Sequence, residues 1–289
     1  MPGRACRTPS CGGKVANAVG AGVEYAPHVE DLTLPDARRD TPTDPGALVT
    51  KVATVTAGFW LVKILATTLG ETGGDALSMQ LGLGYRSSSL LLLGLFAIAA
   101  LVQVTRRRFQ PVAYWACVVA TTTVGTTTSD YLDRTVGLGY PLSSAILFGG
   151  VIAVLLAWHR TTGRIAFDPV TSRADEGFYW VTILVSNTLG TALGDFTADD
   201  LGLGFGSGAL LFAALIALVA SLRVLTRMSA TLLFWAAYVL TRPLGATLGD
   251  VLTKLPANGG LGLDRIQSSL VIAAVMVLGV WLMRRRDAR

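Results

Sequence analysis

Long apolar stretches alternate with short polar segments over most of this chain, from about residue 52 to residue 283. Each stretch approaches or exceeds the roughly 17 to 20 apolar residues that an α-helix needs to cross the hydrocarbon core of a bilayer. The pattern therefore predicts an all-α integral membrane protein with eight transmembrane helices. The predicted segments are 52–77, 87–104, 111–131, 143–158, 178–196, 207–224, 230–250 and 267–283.

The eight segments form four tandem pairs, because one motif recurs in the first segment of each pair. A Trp is followed by a Gly ten residues later and by an Asp fifteen residues later. The four copies are Trp60, Gly70 and Asp75; Trp115, Gly125 and Asp130; Trp180, Gly190 and Asp195; and Trp235, Gly245 and Asp250. Because each repeat has two spans, all four enter the membrane in the same direction. We therefore expect four two-helix repeats that are pseudo-symmetric about the membrane normal, at about 50–105, 106–160, 173–225 and 228–284.

Composition agrees with a membrane location. The chain is 52% hydrophobic and only 15% charged, whereas an average soluble domain has about 25% charged residues. Residues 1–49 contain no long apolar run and are predicted to form a disordered cytoplasmic tail. Residues 50–283 are the predicted transmembrane domain, and residues 284–289 are a basic cytoplasmic end.

Basic residues alternate between dense and sparse loops along the chain. Most of the 24 Lys and Arg residues lie in the tail, in the loops that follow the second helix of each repeat, and at the C-terminal end. The positive-inside rule then places both termini in the cytoplasm. The net charge of +5 thus follows from topology. The expected partner is the lipid bilayer, and no nucleic-acid partner is expected.

The four Trp-containing repeats resemble a bacterial membrane-protein family, described as membrane-anchored proteins, whose members carry four tandem two-span repeats of unknown function with one tryptophan in each. The resemblance covers residues 52–283 and all four Trp positions. It implies the eight-helix architecture and a location in the bacterial inner membrane. It implies no activity.

Polar residues follow one face of the first helix of each repeat. Counted from the Trp, positions +3, +7, +11 and +15 fall on that face. Position +7 is Thr67, Thr122, Asn187 and Arg242, and position +11 is Glu71, Thr126, Thr191 and Ala246. The Gly at +10 and a small residue at +14 allow neighbouring helices to approach closely. We expect the four Trp and the four Gly at +10 to be structural.

Charged residues inside the predicted spans are the strongest functional candidates. Lys63, Glu71 and Arg242 lie within spans, where a charge costs at least about 2.5 kcal/mol. If repeats one and four are neighbours, Glu71 and Arg242 can pair, either as a structural lock or with Glu71 as the group that binds a proton or cation. The Asp at +15 either accepts hydrogen bonds from the Gly-rich turn after it or joins a ring of four carboxylates that attracts cations.

The favoured function is a transporter or channel for a small cation, either H⁺, Na⁺ or a hard divalent metal. The candidate pathway residues are Glu71, Asp75, Asp130, Asp195, Asp250, Lys63, Arg242, Thr67, Thr122 and Asn187. The alternative is a membrane scaffold or sensor whose polar stripes only join helices. No enzyme activity and no cofactor are expected, because the sequence contains no motif for nucleotide binding or hydrolysis. The identity of any metal and the oligomeric state are left open.

Overall fold

The structure, a computed structural model, describes residues 52–106, 109–165, 170 and 172–287. The predicted tail at 1–49 and the last residues of the predicted basic end lie outside the described residues. All described secondary-structure elements are helical. The α-helices are α1 (Ala57–Asp75), α2 (Tyr85–Thr105), α3 (Pro111–Asp130), α4 (Tyr140–Thr162), α5 (Arg173–Asp195), α6 (Gly204–Leu225), α7 (Ala230–Thr253) and α8 (Arg265–Asp287).

Each predicted apolar segment corresponds to one of these helices. The shortest prediction, 143–158, lies within the 23-residue helix α4, because hydropathy marks the apolar centre of a helix and not its polar ends. Side-chain caps begin three of the odd-numbered helices, α1, α5 and α7. The hydroxyls of Thr56 and Ser172 accept hydrogen bonds from the backbone N–H groups of Phe59 (3.2 Å) and Asp175 (2.9 Å), which satisfies donors that the first turn leaves free.

A five-residue π-helical turn follows the motif Asp in each of the first three repeats, at Ala76–Gln80, Tyr131–Thr135 and Phe196–Asp200. Glycines with positive φ then lead into the next helix, such as Gly84 at 72° before α2, a region that glycine adopts without steric cost. In the fourth repeat, α7 instead continues to Thr253.

The four odd-numbered helices pack against one another in cyclic order. Helix α1 contacts α3, α3 contacts α5, α5 contacts α7, and α7 contacts α1. We call this group the ring. Each even-numbered helix packs on the outside of the ring helix that follows it: α2 on α3, α4 on α5, α6 on α7, and α8 on α1. The second helix of each repeat therefore packs on the first helix of the next repeat in the cyclic order.

The even-numbered helices are the ones that are long and apolar enough to cross a membrane. They leave most of their side chains exposed, with Leu90 of α2 at 64% and Leu210 of α6 at 73%. The ring helices instead bury ionisable side chains such as Glu71 and Arg242. Because buried polar groups require polar partners, these side chains meet each other inside the ring.

Candidate functional site in the polar core

The Gly at +10 marks the closest approach between neighbouring ring helices. At each of these positions, an added Cβ would overlap the +7 residue of the next repeat, with repeat four contacting repeat one. The pairs are Gly70 with Thr122, Gly125 with Asn187, Gly190 with Arg242, and Gly245 with Thr67. These glycines therefore set the spacing of the ring helices.

Three of the candidate pathway residues join adjacent ring helices. Thr122 Oγ1 lies 3.1 Å from the carbonyl oxygen of Ala66, and Thr67 Oγ1 lies 3.2 Å from that of Thr241. Asn187 Nδ2 donates to a Thr hydroxyl of α3 at 3.0 Å. Their polar groups are thus engaged in contacts between helices.

Arg242 connects all the repeats at the +11 level. Its Nη2 atom donates to Glu71 Oε2 (2.9 Å) and lies 2.6 Å from the hydroxyl oxygens of Thr126 and Thr191. The side chains of Arg242 and Glu71 are both buried. The fourth repeat, to which Arg242 belongs, has the small Ala246 at +11. Repeats one and four are therefore neighbours, and Glu71 pairs with Arg242 as the sequence predicts for that arrangement.

The Asp residues at +15 form what we call the carboxylate mouth: Asp75, Asp130, Asp195 and Asp250. Each is at most 3% exposed, although each stands at or near the end of its ring helix. Among the described residues, Oδ2 of Asp75 and both carboxylate oxygens of Asp250 have no hydrogen-bond partner. The Gly-rich turns therefore do not satisfy these oxygens.

Two basic residues at position +19, which are not among the predicted site residues, each contact Asp carboxylates of two repeats. In the second repeat, Arg134 Nε lies 2.9 Å from Asp130 Oδ1, and its Nη2 lies 4.0 Å from Asp195 Oδ2. The fourth repeat has Lys254 at the equivalent position, whereas the first and third have no basic residue there. A basic residue four positions after an Asp lies on the same helix face as that Asp. This spacing, which occurs in the second and fourth repeats, could have identified Arg134 and Lys254 from the sequence.

Lys254 lies between carboxylates of two different repeats. Its Nζ is 3.3 Å from Asp250 Oδ1 and 3.8 Å from Asp75 Oδ2. Arg265 Nε also approaches Asp75, at 3.5 Å. Burial alone would lower the pKa of Lys254. The negative charges of Asp250 and Asp75 outweigh that effect and hold the pKa of Lys254 above its usual value. Lys254 is therefore a tethered cation at the mouth.

Glu71 reaches the same region from one helical turn deeper. One carboxylate oxygen from each of Glu71, Asp75 and Asp250 lies within 4.8 Å of the other two. All three residues are buried. Among the described residues, this is the one group of three acidic, His or Cys side chains close enough to hold a single metal ion. Hard cations prefer such oxygen ligands.

Aromatic side chains fill the opposite end of the ring. The residue before each Trp is also aromatic, and it packs on the Trp of the next repeat at a ring-centroid distance of 5.6 to 5.8 Å. These pairs, which we call the aromatic layer, are Phe59 with Trp115, Tyr114 with Trp180, Tyr179 with Trp235, and Phe234 with Trp60. The four Trp thus lie against the core.

Lys63 lies between the aromatic layer and Arg242. It is fully buried, and its Nζ stands 4.2 Å from the centroid of the Tyr238 ring, which is a cation–π contact. Twelve residues of α1, about 18 Å of helix, separate Lys63 from Asp75. Lys63 therefore does not belong to the carboxylate mouth.

A family model described as Repeat of Unknown Function (DUF347) matches four tandem segments, at residues 58–109, 113–164, 178–229 and 233–287. Each match begins two residues before a motif Trp and contains most of one ring helix with the even-numbered helix that follows it. No curated protein and no solved structure matches the chain. Because the four matches cover most of its length, this chain belongs to the family of the Repeat of Unknown Function (DUF347).

Proposed function

We propose that this protein spans a bacterial inner membrane eight times, with both termini in the cytoplasm and its four repeats pseudo-symmetric about the membrane normal. Four helices are apolar enough to cross a bilayer by their own composition. The ring helices carry polar stripes, and the apolar helices pack outside them, which would keep those stripes away from lipid. The repeated Gly and aromatic contacts support the symmetry, and the basic loops support the orientation.

Within that architecture, we propose that a small cation crosses the membrane through the centre of the ring. The observation that carries this proposal is the buried group of Glu71, Asp75 and Asp250, with carboxylate oxygens within 4.8 Å of one another. Carboxylates buried together need positive charge nearby. Protons, Na⁺ and hard divalent metals such as Mg²⁺ or Mn²⁺ are species that suit oxygen ligands of this kind.

The charge balance at the mouth supports the same conclusion. Among the residues that the structure describes, its four Asp carboxylates make ion-pair contacts with three basic side chains, Arg134, Lys254 and Arg265. Glu71 is already paired with Arg242. The unmatched carboxylate charge belongs to the pair Asp130 and Asp195, which shares Arg134 alone, and a bound cation or proton would neutralise it.

Lys254 supports a route for ion exchange. Its Nζ lies where a cation shared by Asp250 and Asp75 would lie, and its side chain remains 15% exposed. A Lys side chain is long and flexible, so it can withdraw toward the loop that follows α7. We infer that an arriving cation displaces the Lys254 ammonium, and that its return helps to release the ion.

The deeper layers favour a gated transporter over an open channel. The Arg242 guanidinium occupies the +11 level through its contacts with Glu71, Thr126 and Thr191. The aromatic layer fills the end beyond it. A cation that crossed the ring would have to open the Glu71–Arg242 pair, so the pair would act as the gate.

A membrane scaffold or sensor is the second candidate, and the interhelical hydrogen bonds favour it. The hydroxyls of Thr67 and Thr122 contact backbone carbonyls of adjacent helices, and the glycines at +10 allow that contact. Such interactions hold helices together in lipid without moving an ion. On this alternative, changes at the mouth would alter stability but not ion permeability.

Ion flux in proteoliposomes tests the proposal. Vesicles containing the purified full chain would be compared with protein-free vesicles for H⁺, Na⁺, K⁺, Mg²⁺ and Mn²⁺. We expect protein-dependent flux of at least one of these cations, and its loss in Glu71→Gln at matched amounts of folded protein. Retained flux in that variant would remove Glu71 from the path. No flux of any of these cations would overturn cation transport and favour the scaffold.

A further inference from the structure

An apolar groove runs along the outside of the helix bundle between α8 and α3. It has a volume of about 620 Å³, and side chains of α1 and α2 complete its lining. On α8 the groove extends from Ala273 to Arg284. Among the described residues that line it, Arg284 is the one that carries a charge. The groove is therefore apolar along its length and basic at one end.

The length of this groove matches one leaflet of a bilayer. Ala273 and Arg284 are separated by roughly 17 Å of helix, and one leaflet contributes about 15 Å of the hydrocarbon core. Trp281, which also lines the groove, lies one turn before Arg284 and is 44% exposed, as is typical of Trp at a membrane interface. The proposed orientation places this end at the cytoplasmic face. One acyl chain of the cytoplasmic leaflet therefore fits the groove.

A second groove of the same kind lies between α6 and α1, with a volume of about 740 Å³. Arg223 of α6 is the charged residue among the described residues that line it. The motif Trp of a ring helix lines each groove, Trp115 in the first and Trp60 in the second. Both arginines lie in the last turn of an even-numbered helix. The same combination of apolar walls and a terminal Arg thus occurs in two repeats.

The two arginines are available to an anion. Both are exposed, and neither forms an ion pair with a side chain in the described part of the chain. The described lining of both grooves contains no acidic residue. A guanidinium binds phosphate oxygens through paired hydrogen bonds. Basic residues at the cytoplasmic ends of spans also attract anionic lipid headgroups.

We propose that each groove binds an anionic phospholipid of the cytoplasmic leaflet. One acyl chain lies along the apolar walls, and the headgroup phosphate contacts Arg284 in the first groove and Arg223 in the second. A zwitterionic phospholipid offers the same chain without the net negative charge, so it binds these sites more weakly. The proposal rests on the proposed membrane-spanning architecture and does not depend on cation transport.

The alternative occupant of a groove is an apolar helix from a second copy of the chain. The charges at the groove ends disfavour it. Helices α2 and α4 also end beside basic residues, Arg106 and Arg160, as α6 and α8 do. A second copy inserted in the same orientation would therefore bring like charges together, whereas an anionic headgroup neutralises them.

Thermal unfolding of the purified full chain in detergent, followed by Trp fluorescence, tests the proposal. Phosphatidylglycerol or phosphatidylcholine with identical acyl chains would be added, so that only the headgroup differs. We expect the unfolding temperature to rise saturably by a few degrees with phosphatidylglycerol and by much less with phosphatidylcholine. Equal rises, or no rise with either lipid, would overturn the proposal. An unfolding temperature that depended on protein concentration and not on the headgroup would overturn it in favour of a second copy.

Substitution of the two arginines locates the headgroup. The double variant Arg223→Gln with Arg284→Gln should lose the difference between the two lipids, because both exposed guanidinium groups are removed. Arg86→Gln is the matched control, since Arg86 is an exposed basic residue at the opposite end of an even-numbered helix. It should keep the full difference. A difference retained in the double variant, or lost in Arg86→Gln, would contradict the assigned sites.

A groove-filling variant locates the acyl chain. Ala116 is exposed and lines the first groove, so Ala116→Phe should reduce the rise with phosphatidylglycerol. Ala274 of α8 is exposed and does not line that groove, so Ala274→Phe should keep it. Equal effects of the two substitutions would contradict binding in the groove.

Extraction of the membrane-bound full chain with alkaline carbonate tests the spanning architecture separately. We expect the chain to stay in the membrane fraction. Release into the soluble fraction would overturn the architecture and the lipid sites together. A chain that stays in the membrane but shows no headgroup preference would overturn the lipid sites alone.

Discussion

Arg242 Nη2 lies 2.9 Å from Glu71 Oε2, although the two residues are 171 positions apart in the chain. Both side chains are buried, and they belong to the fourth and the first repeat. This pair therefore closes the ring between its last and first helices. Removing one member of such a pair leaves the other as an unpaired buried charge, which costs about 3 to 5 kcal/mol.

Arg242→Met is accordingly expected to lower the free energy of unfolding by about 3 to 5 kcal/mol. Glu71→Gln leaves the Arg242 charge unpaired, but its amide oxygen can still accept a hydrogen bond from Nη2, so we expect a loss at the lower end of that range. The double variant should be more stable than the sum of the single losses predicts, since neither charge is then left alone. Equilibrium unfolding of the parent and the three variants measures this coupling. Strictly additive losses would contradict a direct interaction.

Gly245→Ala tests the close approach of α7 to α1. We expect a loss of about 1 to 3 kcal/mol in the free energy of unfolding, because the added Cβ would overlap side-chain and backbone atoms of Thr67. Gly94→Ala is the matched control, since a Cβ on Gly94 of α2 meets nothing within 4 Å. Its effect should be neutral or slightly stabilising. Equal effects of the two substitutions would refute the assigned role of Gly245.

Lys254→Met tests whether Lys254 competes with a mobile cation. Because the substitution frees Asp250 and Asp75 from their tethered ammonium, the half-saturating cation concentration for flux should fall, by about tenfold if roughly 1.4 kcal/mol of competition is removed. Arg134→Met is the matched control at the equivalent position of the second repeat. Arg134→Met should change the half-saturating concentration less. Among the described residues, no third carboxylate lies close enough to Asp130 and Asp195 to form a three-carboxylate group with them.

The affinity for the transported ion, from the concentration dependence of flux, decides this prediction. An unchanged affinity in Lys254→Met, or an equal change in Arg134→Met, would count against exchange between Lys254 and the cation.

Asp264, at the start of α8, gives the fold a pH-dependent contact outside the proposed spans. Its Oδ1 accepts from the backbone N–H of Gln267 (2.8 Å), and its Oδ2 accepts from Gln80 Nε2 (2.6 Å). These hydrogen bonds, first that from Gln267, lower the pKa of Asp264. The resulting stabilisation is present above the ordinary Asp pKa of about 3.9. It is lost as the pH falls through the lower value of the folded protein.

Asp264→Ala should therefore unfold at a slightly lower temperature than the parent at neutral pH, and the difference should shrink toward zero in acid. Asp264→Asn keeps a side-chain oxygen that can accept from the backbone N–H of Gln267. Its unfolding temperature should therefore fall less than that of Asp264→Ala. Thermal unfolding of the three proteins across a pH series is the measurement. A difference that widened as the pH fell would contradict the assigned contact.

The regular spacing of Trp, Gly and Asp made the helices and the repeats predictable, because spacing along a helix determines which side chains share a face. The Glu71–Arg242 pair was predictable only if repeats one and four were neighbours. The contacts of Arg242 with Thr126 and Thr191 could not be predicted from spacing. Arg242 stands at +7, but its long side chain reaches the +11 level of the other repeats.

The bridging bases at the mouth were missed for a different physical reason. Hydropathy assigns Arg134 and Lys254 to loops, because they follow the apolar part of a ring helix. In the structure, Arg134 lies in the π-helical turn at Tyr131–Thr135 and Lys254 directly follows α7, so each side chain turns back toward the Asp four residues before it. The packing of each even-numbered helix on the next ring helix depends on tertiary contacts that local spacing does not encode.

Cation flux through Asp250→Asn, compared with Asp200→Asn, tests the carboxylate site most directly. Asp250 belongs to the buried group with Glu71 and Asp75, whereas Asp200 is an exposed acidic residue that follows a ring helix. Each variant loses one carboxylate, and vesicles would contain equal amounts of folded protein. We predict that Asp250→Asn loses most of the parent flux and that Asp200→Asn keeps it. Parent-level flux in Asp250→Asn, or an equal loss in both variants, would contradict a cation pathway through this site.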